Sequence, residues 1–157
     1  MEQNQTAKRG GLMRARPDIV VVSPDGRIQL VVEVKNHAGA SEEWATDFRR
    51  NLVAHSILPE AEYFLLALPD NLFLWRNSQT SGNAAPAYRV PTSEALEPFR
   101  VAGAGEAGLE MAVNAWLNVL TSPDLGEEEV ARRYGWLVDS GLYRHIRGGD
   151  VAYQAAA

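Results

Sequence analysis

The stretch from Pro17 to Lys35 constrains this chain more than any other. It reads PDIVVVSPDGRIQLVVEVK, a β-branched run, a turn and a second β-rich run. In Ser23-Pro24-Asp25-Gly26 the proline presets φ at the first corner, Asp favours the second, and glycine accepts the exit geometry. Two such runs around such a turn predict a β-hairpin. Side chains alternate across a strand, so Gln29, Val31, Glu33 and Lys35 share one face while Leu30, Val32 and Val34 share the other. The fully apolar face is the expected core face. Glu33 and Lys35 then project together from a strand anchored on its far side.

Whether Asp18 joins them depends on register. Directly opposed residues point to the same face, so Asp18 shares a face with Glu33 only if paired residue numbers sum to an odd value. A four-residue SPDG loop pairs Val22 with Arg27, which is odd. A three-residue loop with a glycine bulge pairs Ser23 with Arg27, which is even. A further bulge before Val22 restores the odd parity. The residues leave these alternatives open.

The rest of the chain supplies a setting. Ser41 is a suitable N-cap, and Glu42 and Glu43 suit a first helical turn. A helix from about Ser41 to His55 places Trp44, Phe48 and Leu52 on one face and stops before Pro59. Glu62–Leu68 is an almost unbroken apolar run, the pattern of a strand covered on both sides. Pro69-Asp70-Asn71 turns the chain into a further strand over Leu72–Arg76. Residues 77–92, rich in Ser, Asn, Gly and Pro, read as a loop. Beyond about residue 93 the pattern is helical, with Leu109–Leu120 and Glu127–Leu142 as the two clear segments. The order of elements is that of a mixed α/β (α+β) fold: a mixed β-sheet core flanked by helices, with a helical C-terminal part. Residues 1–12 are polar, lack periodicity and read as a flexible lead-in. Residues 13–157 read as one domain.

Composition narrows the chemistry. With 157 residues and 46% hydrophobic content, the chain can bury a single core. It has no cysteine, which excludes disulfides and thiolate metal sites and fits a reducing compartment. No apolar run approaches the ~20 residues of a membrane-spanning helix, and the N-terminus lacks the apolar core of a secretory signal. A cytoplasmic protein that does not enter a membrane is the expectation. The net charge of −5 is unevenly spread. Residues 1–56 carry eight Lys/Arg against seven Asp/Glu, and the remainder carries seven against thirteen. That balance works against broad phosphate binding, although Arg49 and Arg50 lie close to the hairpin in sequence.

Asp18, Glu33 and Lys35 are the candidate catalytic set. Two carboxylates suit a hard divalent cation, which prefers oxygen ligands. An adjacent ammonium can orient water and stabilise charge developing on phosphorus. Pro17-Asp18, followed after fourteen residues by Glu33-Val34-Lys35, resembles the PD-(D/E)xK nuclease superfamily, also called restriction-endonuclease-like. The order that follows, through helix and apolar strand at EYFLLAL, is similar too. The resemblance spans roughly residues 13–76 and looks most like small prokaryotic members of unassigned function. It implies a restriction-endonuclease-like sheet and Mg²⁺ or Mn²⁺ held by Asp18, Glu33 and the Val34 backbone carbonyl. It also implies Lys35 acting on water or phosphate, with DNA as the substrate. His37, Arg49 and Arg50 are candidate phosphate contacts. The alternative is a nuclease-fold interaction module without catalysis, assembled as a homodimer through the C-terminal helices.

Overall fold

The computed structural model describes residues 17–55, 58–77, 82–99 and 105–153. The 1–12 lead-in expected from sequence lies outside them. Strands β1 (Ile19–Val22) and β2 (Ile28–Val34) form the expected antiparallel hairpin. Helix α1 (Glu42–Ala54) follows and leads to β3 (Tyr63–Ala67), β4 (Asn71–Arg76) and β5 (Tyr88–Pro91). The helices α2 (Thr92–Ala95), α3 (Gly105–Leu120), α4 (Glu127–Arg133), α5 (Gly135–Asp139) and α6 (Leu142–Ile146) precede a last strand, β6 (Asp150–Tyr153). The six strands form one mixed sheet in the order β5-β4-β3-β2-β1-β6. Only β2 and β3 run parallel, joined by the α1 crossover; the other neighbours are antiparallel.

Local chemistry explains α1. Ser41 caps it, its hydroxyl accepting the Trp44 N–H at 3.0 Å, and Glu42 and Glu43 occupy the first turn. The helix covers one face of the sheet, where Val31, Phe64, Leu66, Phe73 and Trp75 form a core with Ala45. The opposite face carries the larger core. There Ile19, Val21, Leu30, Val32, Val34 and Leu65 meet Leu109, Val113, Trp116 and Leu117 of α3, together with Leu137 and Tyr143 from the short helices. Central strands are therefore apolar on both faces, and β3 is buried at all five positions.

Three sequence expectations need correction. The loop expected over 77–92 ends in β5, a short edge strand that pairs with β4. The single helix expected over Glu127–Leu142 is broken once, at Tyr134, and Gly141 closes it as a cap. Tyr134 takes φ −140°, ψ 65° between α4 and α5, and Gly141 takes φ 85° before α6. The Gly141 conformation favours glycine, and a Cβ there would lie 2.8 Å from the Tyr63 hydroxyl. Finally, the stretch beyond residue 93, expected to be helical, also contains the strand β6, which pairs with β1 from Ile19↔Tyr153 to Val22↔Asp150.

Candidate active site

The hairpin turn is the three-residue form. The Ser23 N–H donates to the Arg27 carbonyl, the Gly26 N–H donates to the Ser23 carbonyl, and Gly26 has φ 88°. On its own this register points Asp18 away from Glu33. A bulge between Val21 and Val22 then shifts the pairing from Val22↔Ile28 to Val21↔Leu30, leaving Gln29 as the extra residue. From there to Ile19↔Val32 the sums are odd. Continuing the register by one step brings Asp18 opposite Glu33.

Asp18 does more than sit opposite. Its carboxylate accepts the Val34 N–H at 2.7 Å. In the same register Val34 faces Pro17, so the side chain of Asp18 takes over the edge of the ladder where the regular strand stops. Asp18 is thereby fixed at the residue between Glu33 and Lys35. Burial pushes its carboxyl above the ordinary carboxylate range. The Val34 hydrogen bond and the Lys35 charge oppose that rise, and Glu106 adds to it.

Glu106 and Glu110 went unnoticed in the sequence. Both lie on α3, four residues apart and hence on one helix face. The Glu106 carboxylate accepts the Asn36 N–H at 3.0 Å, fastening the chain just after Lys35. Glu110, only 8% exposed, is hydrogen-bonded by the Tyr153 hydroxyl at 3.3 Å. Burial raises its pKa, and Asp18 and Glu106 raise it further while Lys35 lowers it. Burial, followed by Glu110, raises the Tyr153 pKa as well. Asp18, Glu106 and Glu110 thus interact with one another and with Lys35 at one end of the sheet. A capping signal could not have revealed this, because the helix approaches from a distant part of the chain.

The strand face of Glu33 and Lys35 is less open than alternation suggested. Val31, on the same face, lies fully buried beneath α1. Glu33 and Lys35 are half-buried, and the Lys35 Nζ stands 5.9 Å from the centre of the Phe48 ring. His37 is exposed and stacks on Trp44, with centroids 4.1 Å apart and planes 13° apart. Trp44 in turn stacks on Phe48 at 5.3 Å, again at 13°.

The two arginines separate. Arg49, considered above as a phosphate contact, is only 3% exposed; it lies 5.4 Å over the Trp75 ring and donates to the Asn77 side chain at 3.0 Å. It is therefore a core residue, and burial lowers its pKa. Helical spacing from Ala45 marks position 49 as inward-facing. Arg50 is exposed and paired with Asp47 at 2.8 Å.

Among the described residues, no group of three or more His, Cys, Asp or Glu side chains is arranged to hold a metal ion. The expected set contains only two carboxylates, and Mg²⁺ is usually bound by one or two carboxylates together with water and substrate oxygens. Asp18 and Glu33, with the Val34 carbonyl, fit that donor requirement. Clefts elsewhere, including one of about 430 Å³ lined by Arg27, Glu62 and Asn77, share no residue with this set. Among the described residues no helix is long and apolar enough to cross a membrane. No family model, curated protein or solved structure matches the chain.

Proposed function

We propose that the protein is a metal-dependent nuclease of the PD-(D/E)xK type that hydrolyses phosphodiester bonds in DNA. The observation that carries this reading is the odd register above the bulge, with Asp18 bonded to the Val34 N–H between Glu33 and Lys35. A hairpin without a function at this end has no need for a desolvated aspartate; an ordinary backbone pair satisfies Val34 at lower cost. Asp18, Glu33 and the Val34 carbonyl would hold Mg²⁺ or Mn²⁺, which supplies Lewis-acid activation of water and phosphate when bound. The chain's own contribution is positional. Lys35, held by its backbone N–H to the Ala67 carbonyl at 3.1 Å, orients the attacking water and offsets charge on the phosphoryl oxygens. Glu106 fixes the following residue, so the ammonium is presented from a braced segment.

The test is cleavage of DNA, offered both as duplex plasmid and as a single-stranded circle, with and without Mg²⁺. Wild-type protein is expected to cleave, and Glu33→Ala and Lys35→Ala to lose that activity while retaining the wild-type circular-dichroism spectrum. Wild-type protein that neither cleaves nor binds Mg²⁺ or Mn²⁺ in calorimetry overturns the assignment. The second reading, a non-catalytic nuclease-fold module that dimerises, draws on one observation. Met111 and Val119 of α3 are 63% and 46% exposed, an apolar strip on a C-terminal helix. A concentration-independent monomer in sedimentation removes it.

A further inference from the structure

We infer that His37 and Trp44 form a stacking platform for an unpaired nucleobase, which makes single-stranded nucleic acid the substrate class of this site. The inference takes its location from the nuclease reading, but its chemistry stands on the aromatic geometry. Three rings, His37, Trp44 and Phe48, lie in series with successive planes 13° apart, and Lys35 caps the inner end over Phe48. The outer end is His37, which is exposed. Phe48 and Trp44 are only half-buried, and the stack stands on the α1 side of the sheet, the face that carries Glu33 and Lys35. An exposed ring held parallel to its neighbour presents the π-surface on which any base can stack.

The electrostatics favour a base over a phosphate at this position. Glu42 and Glu43 flank Trp44 in the first turn of α1, Arg50 is committed to Asp47, and Arg49 is withdrawn into the core. With a net charge of −5 the chain is poorly equipped to hold a duplex by its backbone charge. Stacking supplies affinity that does not depend on that charge. It requires an unstacked base, which a single strand offers freely and a duplex offers only after unpairing.

The loop bearing His37 is braced for this role. Asn36 N–H donates to Glu106, Gly39 N–H donates to the Asp70 carboxylate, and Gly39 takes φ 74°. The ring is thus carried on a segment tied to α3 and to the β3–β4 turn.

The experiment is fluorescence anisotropy of short labelled oligonucleotides in metal-free buffer, so that binding is read without cleavage. Single-stranded DNA, single-stranded RNA and duplex DNA of one sequence are compared, along with a single strand carrying abasic positions. His37→Ala, at an exposed position, is expected to weaken single-strand binding roughly tenfold, and Trp44→Ala at least as much. His37→Phe should restore it, which separates stacking from folding. Abasic DNA should bind wild type no better than intact DNA binds His37→Ala. The single strand that binds more tightly, DNA or RNA, identifies the source of the base. Equal binding of wild type and His37→Ala to single strands overturns the platform, as does tighter binding of duplex than of either single strand. Cleavage assayed in parallel with Mg²⁺ keeps the two readings apart. Stacking without cleavage removes the nuclease alone, and cleavage with binding indifferent to His37 removes the platform alone.

Discussion

Replacing Asp18 by Asn and by Ala should have opposite consequences for stability, and the contrast tests whether the aspartate is kept for its charge. Asp18 accepts the N–H of Val34, a fully buried residue, at 2.7 Å. Alanine removes the acceptor and strands that donor, which costs about 1–3 kcal/mol. For a domain of this size that corresponds to a loss of roughly 2–12 °C in Tm. Asparagine retains a carbonyl oxygen at the same reach and carries no charge to desolvate. Because the folded-state pKa of Asp18 is raised chiefly by burial, its titration favours the folded state most below the unfolded pKa of about 3.9, and that contribution is lost as pH rises through the folded value. At pH 7 Asp18→Asn is therefore expected to match or exceed wild type in Tm, while Asp18→Ala falls below both. Between pH 7 and pH 3.5 the gap between Asn and wild type should narrow. Thermal melts by circular dichroism at several pH values measure this directly. An Asn variant at neutral pH as unstable as the Ala variant would refute the reasoning, since the carboxylate would then be stabilising in its own right.

Two further substitutions probe the frame of the site. Gly141→Ala combines a left-handed backbone with a Cβ 2.8 Å from the Tyr63 hydroxyl, which donates to the Ser140 carbonyl at 2.7 Å. It should cost about 2–4 kcal/mol in urea denaturation, and adding Tyr63→Phe should recover part of that loss; strict additivity would count against the clash. Ser41→Ala removes the α1 cap and should cost about 1 kcal/mol in the same assay, with no measurable change pointing to a replacement acceptor for the Trp44 N–H.

The parts of the fold legible in the sequence are those set by local chemistry. The SPDG turn, the Ser41 cap and the apolar run at β3 each carry their own cause within a few residues, and the structure places them close to where they were expected. Register was harder, because a glycine turn of even parity and a bulge at Gln29 cancel, and neither leaves a mark in the hydrophobic pattern. The edge strands β5 and β6 have only four residues each and owe their existence to neighbours supplied by distant segments. In the candidate site Glu33 and Lys35 were visible through alternation. Glu106 and Glu110 were not, since an acidic i, i+4 pair on a helix reads as a solvated face until the sheet beneath it is known. Arg49 shows the converse: its charge suggested a surface position, while packing over Trp75 of a distant strand draws it into the core.

The pairing of β6 with β1 sets an order of events for the chain as it is made. The first strand of the sheet gains its outer neighbour only from the final described segment, Asp150–Tyr153. Until that segment leaves the ribosome, Ile19–Val22 remains an edge with unpaired backbone groups, open to pairing with another chain. The same closing strand brings Tyr153 to Glu110, so the acidic end of the sheet is assembled last. A nascent chain would thus carry Asp18 and Lys35 with this end of the sheet unfinished until Tyr153 is in place.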